Sequence, residues 1–222
     1  MSWRPVKAQV TGFGLTQLDD GKDGVVLITI ENLKLAQFGP GDLEDLYRIR
    51  NARSVREYMA DSAPISYTAH VEWVNEHLVD SQEILLLMAR LRGQAIGFTL
   101  LKRVGEEAAE IGVIFREADR HLTIPYTSAV ATLYCAFCHL GLAYVVSYVL
   151  PVHHRAVALN RSFGAWEVES EKNGMRKFRL SREICLGNSN YLKVLSRIEK
   201  KMRISGSDYS FLRERVALVA QK

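Results

Sequence analysis

The chain has 222 residues, 48% of them hydrophobic and 24% charged. That balance excludes a disordered chain, and the length supports one domain of ordinary size with a sizeable core and terminal extensions. The net charge of +4 hides an asymmetry, because residues 170–222 carry thirteen Lys and Arg against five Asp and Glu, which leaves the rest acidic.

Residues 1–24 mix glycines and charges with few spaced apolar residues and are read as an irregular N-terminal arm. Val25 to Ile30 is rich in β-branched residues and predicts the first strand. A second extended stretch, Leu33 to Ala36, runs into the turn Gly39-Pro40-Gly41. Asp42 is expected to cap a helix reaching about Asn51, with Leu43, Leu46 and Ile49 at helical spacing. A short helical segment follows near Ser54 to Met59. Ser66 is expected to cap a third helix from Tyr67 to Val79, whose apolar stripe is Val71, Val74 and Leu78. Glu83 to Leu91 and Ala95 to Val104 read as a hairpin turning at Arg92-Gly93-Gln94.

A strand at Ala109 to Phe115 completes an antiparallel meander. After a turn from Arg116 to Pro125 come a helix from about Tyr126 to Leu140, a strand at Ala143 to Leu150 and a helix ending at Phe163-Gly164-Ala165. Trp166 to Glu171 and Arg176 to Leu186 predict a hairpin about the Asn173-Gly174 turn. Beyond Gly187 the chain is expected to be helical, from Ser189 to Met202 and from Asp208 to Val219. Residues 25–186 therefore form one α+β domain, between the arm at 1–24 and a helical extension at 187–222.

Three cysteines are too few and too scattered for a disulfide framework. Cys135 and Cys138 form a CxxC inside a predicted helix, with His139 the one further metal-ligand type nearby, so both are read as buried helix residues rather than zinc ligands. No metal is expected. No apolar run reaches bilayer-spanning length, and Met1-Ser2-Trp3-Arg4-Pro5 lacks the apolar core of a secretion signal. A cytoplasmic location follows as an expectation. The basic segment with Arg197, Lys200, Lys201 and Arg203 suits a solvated helix face; an acidic protein is the partner it would fit, and nucleic acid is not expected.

The element order β, α, α, β-β-β, α, β, α, β-β resembles the GNAT N-acetyltransferase family over roughly residues 25–186. Leu43-Glu44-Asp45-Leu46, Arg50-Asn51, Val55 to Met59, and Ile65-Ser66 with His70 and Trp73 are similar to the ribosomal-protein and amino-sugar acetyltransferase branch. Arg155 to Ala165 is similar to the family's last motif. The resemblance implies a mixed α/β fold, a mostly antiparallel sheet with one splayed parallel strand pair and flanking helices.

It also implies a site. The splayed strand would pair with the pantetheine of acetyl-CoA through Val113, Ile114 and Phe115. The pyrophosphate would sit on the turn and the following helix start: Arg120, Leu122, Thr123, Ile124, Tyr126 and Thr127. The family's turn reads Gln or Arg, two residues, Gly, one residue, Gly or Ala. Here it is Arg120-His121-Leu122-Thr123-Ile124-Pro125, which keeps the arginine, loses both small residues and ends on a proline without an N–H. His153 takes a position that often carries a pantetheine-touching asparagine, and either it or His154 is a candidate acid or base, against a surface-loop reading. Asn160 takes the position of the family's thiolate-protonating tyrosine. An amide can hydrogen-bond sulfur but cannot act as an acid, so a water, Tyr126 or Tyr134 would supply the proton. Glu110 is the candidate base, directly or through a water, against a solvent-facing reading. Tyr58 and Met59 are placed on the acceptor side.

The expected function is direct transfer of an acetyl group from acetyl-CoA to a primary amine of an amino sugar, small metabolite or protein N-terminus. The altered turn and the basic tail support a second reading, a long acyl chain delivered by acidic acyl carrier protein. A third is a catalytically degenerate binding module, and a homodimer through the terminal helices is the expected assembly.

Overall fold

A computed structural model describes residues 27–79, 84–102, 105, 107–116, 123–172, 174–199 and 202–205. The β-branched and leucine-rich runs become strands: β1 (Leu27–Ile30), β2 (Leu33–Gln37), β3 (Ile84–Leu91), β4 (Gln94–Lys102) and β5 (Ala108–Phe115). The β3–β4 turn is Arg92-Gly93, both at positive φ (51° and 85°), the left-handed pair that suits a two-residue hairpin. Then follow β6 (Tyr144–Val149), β7 (Trp166–Val168), β8 (Arg176–Ser181) and β9 (Met202–Ser205). The sheet order is β7-β8-β6-β5-β4-β3-β2-β1-β9. Every neighbouring pair is antiparallel except β5–β6.

Helices cover both faces. On one, α1 (Leu43–Asn51), α2 (Arg53–Arg56) and α3 (Tyr67–Val74) pack Leu46, Ile49, Val74 and Leu78 against Leu86, Met88 and Phe98 of the sheet. On the other, α4 (Thr123–Tyr134), α5 (His154–Ser162) and α7 (Ser189–Glu199) bury Val130, Leu133, Val157, Tyr191 and Leu195 with Leu85, Leu87 and Val145. A short α6 (Arg182–Gly187) joins β8 to α7. The alternating burial of β6 follows: Val145, Ser147 and Val149 face α4 and α5, while Tyr144, Val146 and Tyr148 face the other way.

Several expectations are corrected. Asp42 does not cap α1; it closes a 3-10 turn at Pro40–Asp42, where Oδ2 accepts from Gly39 N at 2.9 Å and Oδ1 accepts from Arg90 Nη2. The capping carboxylate was captured by a long-range cation. Ser66 does cap α3, accepting from Ala69 N at 3.1 Å, but that helix ends at Val74 and widens into a π-turn through Val79. The helix expected from Tyr126 starts at Thr123, with Pro125 in its first turn, and becomes a π-turn over Cys135–His139. Of the CxxC pair, Cys135 is buried and Cys138 is exposed.

The last hairpin strand stops at Ser181, whose hydroxyl accepts from Ile184 N at 3.3 Å and starts α6. Met202 is not the end of a helix but the start of β9, paired antiparallel to β1. The arm at 1–24 and the helix expected at 208–219 lie outside the described residues. Among the described residues, no helix is long and apolar enough to cross a membrane, and no cluster of His, Cys, Asp and Glu could hold a metal ion.

Candidate active site

Strands β5 and β6 pair at three positions, Ala108 with Tyr144, Ala109 with Val145 and Glu110 with Val146. There the pairing stops. β5 continues to Phe115 against β4, and β6 continues to Val149 against β8. The two strands diverge from an apex at Glu110, and the gap opens into a cavity of about 930 Å3 that runs through the sheet. On the α4 and α5 side it is lined by Tyr126, Leu133, Asn160, Phe163 and Phe178, and on the α1–α3 side by Arg50, Met59, Trp73, Phe98, Lys102 and Glu110.

Glu110 sits at the apex, with Lys102 directly across on β4. Its Oε2 accepts from Lys172 Nζ at 2.9 Å. Lys172 lies in the β7–β8 connection, and its ammonium also stands 3.6 Å from the centre of the Tyr148 ring. Tyr148 bonds Glu171, which Lys177 also bonds at 2.9 Å. That double hold keeps the Glu171 carboxyl down at about 2, Tyr148 being the larger cause and Lys177 the next.

Asn160 lies on the opposite face. Its Nδ2 donates to Ala156 O at 2.9 Å, which fixes the amide orientation, and Oδ1 accepts from Ser147 Oγ at 2.6 Å. The second amide hydrogen is available to a ligand atom, and the group remains a donor rather than an acid. Tyr126 packs 4.7 Å from Phe163, ring centre to ring centre. Its hydroxyl is buried without a hydrogen bond of good geometry. Burial raises its pKa above 10.0, an effect that nearby Ser162 partly offsets, so Tyr126 stays protonated at neutral pH.

His153 caps α5, its Nδ1 accepting from Ala156 N at 3.0 Å, and its ring lies 3.9 Å from that of Tyr58. This contact joins a residue expected on the donor side to one expected on the acceptor side. His154 is an exposed first residue of α5, and Tyr134 does not line the cavity. Met59, Val113, Ile114 and Phe115 line the cavity. Thr123, Ile124 and Thr127 lie in the opening turns of α4 and do not, although Pro125 does. Arg120 and Leu122 lie outside the described residues.

Sequence reasoning missed Lys172, Tyr148 and Ser147. Lys172 immediately precedes the Asn173-Gly174 turn, a signal read for its backbone and not for the amine beside it. Arg50 and His70, noted only as a local pattern, are partners: Arg50 Nη1 lies 3.5 Å from His70 Nδ1, while His70 Nε2 donates to Leu43 O at 3.2 Å. Arg50 also stacks 4.1 Å over Trp73.

The profile of the family described as "Acetyltransferase (GNAT) domain" matches residues 32–165. Among solved structures, spermidine N-acetyltransferase from Vibrio cholerae, in complex with CoA and spermine, aligns with a TM-score of 0.61 at 21% identity, over 70% of this chain and 99% of that one. A probable GNAT-family acetyltransferase from Chromobacterium violaceum gives 0.62 at 18% identity, over 74% and 95%. A GNAT-family acetyltransferase from Bacillus anthracis gives 0.58 at 17% identity, over 71% and 99%. No protein of curated function matches the sequence.

Proposed function

The chain belongs to the GNAT acetyltransferase family, and from that premise we propose that it moves an acetyl group from acetyl-CoA to a primary amine at the apex of the β5–β6 splay. One observation carries this reading: pairing ends at Glu110, and the parted strand edges face a cavity of about 930 Å3 lined from both sides of the sheet. An extended arm laid along β5 from Ile111 to Phe115 gains backbone partners there. A donor whose phosphates rest near the start of α4 brings its thioester toward Glu110.

The thioester supplies the activated carbonyl. The chain supplies the proton handling. Glu110 accepts the proton of an ammonium brought to the apex, and Asn160, held by Ser147 and Ala156, offers an N–H toward the sulfur. Tyr126 carries the transferable proton for the departing thiolate.

The acceptor side is positive. Arg50, Lys102 and Lys172 line the cavity, and Glu110 is the one carboxylate among its described lining residues. Arg50 is partly buried, and its desolvation lowers its pKa; an anionic group on the acceptor offsets that desolvation. We read the acceptor as an amine that also carries a phosphate or carboxylate, such as a nucleotide-linked amino sugar, rather than a polyamine like the spermine of the Vibrio protein.

Acetyl-CoA should raise the melting temperature, because a ligand that binds only the folded state stabilises it. Acetylation assays should then favour anionic amines over spermine. A chain that acetylates spermine faster than any anionic amine overturns the acceptor reading. One that ignores acetyl-CoA but is stabilised by long-chain acyl carrier protein replaces the donor.

A further inference from the structure

We propose that the chain is its own acceptor at Lys172: the enzyme acetylates the Lys172 amine within the same molecule. The inference rests on the acetyltransferase reading above. Its basis is that a primary amine already occupies the place where an acceptor must be delivered. Lys172 Nζ lies 2.9 Å from Glu110 Oε2, lines the cavity and belongs to a side chain that is 32% exposed.

That position is built rather than incidental. The Lys172 backbone is held by Ser170 Oγ, which lies 3.3 Å from Lys172 N and 3.2 Å from Lys172 O, and by Met175 N, 3.1 Å from the same carbonyl. The side chain crosses the Tyr148 ring, and Tyr148 is itself anchored to Glu171 and through it to Lys177. An amine held in this way needs little further ordering before attack, which is the largest saving open to an intramolecular acceptor.

The reaction balances without another reagent. The Lys172 ammonium passes a proton along its existing bond to Glu110. The neutral Nζ attacks the thioester carbonyl, the Nζ–C bond forms, the C–S bond breaks, and coenzyme A leaves as the thiol with the Tyr126 proton, while the second Nζ proton restores Tyr126. The product amide has no charge, so Glu110 loses its counter-ion.

The test is a time course of the full chain with acetyl-CoA, followed by peptide mass spectrometry and read against Lys193, an exposed lysine on α7. Lys172 should acquire an acetyl group at least ~10-fold faster than Lys193, as expected when a positioned base assists, and at a rate per molecule independent of protein concentration. E110Q should bring Lys172 down to the Lys193 rate and leave Lys193 unchanged; K172R should remove the fast site altogether. The wild-type comparison decides the matter even if a variant does not fold. Slow Lys172 modification in a sample whose melting temperature acetyl-CoA raises overturns self-acetylation and leaves the enzyme reading standing, as does a rate that grows with protein concentration. Absence of both thermal shift and modification overturns both.

Discussion

Glu110 sits where the splay begins, between Lys102 across β4 and Lys172 from the β7–β8 connection. A glutamine there keeps the shape and the hydrogen bond but cannot accept a proton. E110Q should therefore lower kcat by roughly 10²–10⁴, the usual contribution of a general base, while acetyl-CoA affinity measured by calorimetry stays unchanged. A kcat near wild type would remove Glu110 from the chemistry. His70 gives a second residue-level expectation. It is fully buried, and burial is the main reason its pKa falls below 6.5; Arg50 pushes the same way, while the bond to Leu43 O and the charge of Glu44 oppose. Because the folded pKa is the lower one, the unfolded chain binds more protons between the two values, and stability rises with pH there. The contribution is complete above pH 6.5 and is lost as pH falls toward the folded value. Urea unfolding of wild type and H70Q from pH 7.5 to 5 should show a steeper fall for wild type; parallel curves would sink the assignment.

At the scale of elements, the β4–β5 pair is held close by Gly97. A Cβ there would stand 2.4 Å from Ile114 O and 2.5 Å from Phe115 Cδ1. The nearest obstacle is backbone, so G97A must shift the strand that borders the cavity. It should cost about 1–3 kcal/mol, as overpacking does, and weaken acetyl-CoA binding; urea midpoints matching wild type would contradict this. Elements governed by local signals were legible in the chain. The Arg92-Gly93 hairpin, the Ser66 cap and the strands to either side of the splay depend on residues close in sequence, and they stand within a few positions of expectation. Asp42 was misread because Arg90, on β3, is 48 positions away and took its carboxylate. The position of Glu110 on β5 beside the splay was legible, whereas the amine that pairs with it was not. The contact between Glu110 and Lys172 spans 62 positions and exists only once β7 and β8 fold beside β6.

At the scale of the molecule, the question is what the basic segment after Gly187 does for the sheet. Tyr191 is fully buried, and Leu195 and Ile198 are 9% and 6% exposed, in the same core as α4 and β1. Lys193 and Arg197 on the same helix are exposed, so the solvated face expected there accompanies an apolar face that closes the core. β9 then pairs with β1 and covers an edge that would otherwise offer free N–H and C=O groups to another chain. The two roles separate by truncation, with a chain ending at Ser205 as the control for residues 206–222. Ending at Glu199 keeps α7 but uncovers β1, so that chain should fold and self-associate, visible as a concentration-dependent shift in size-exclusion chromatography. Ending at Asn188 removes three core side chains, each contributing about 1.5–3 kcal/mol. Their sum approaches the whole stability of an ordinary domain, about 5–15 kcal/mol, so this shortest chain should show no cooperative melting. A cooperative transition there at the control's temperature would mean that the core is complete without α7.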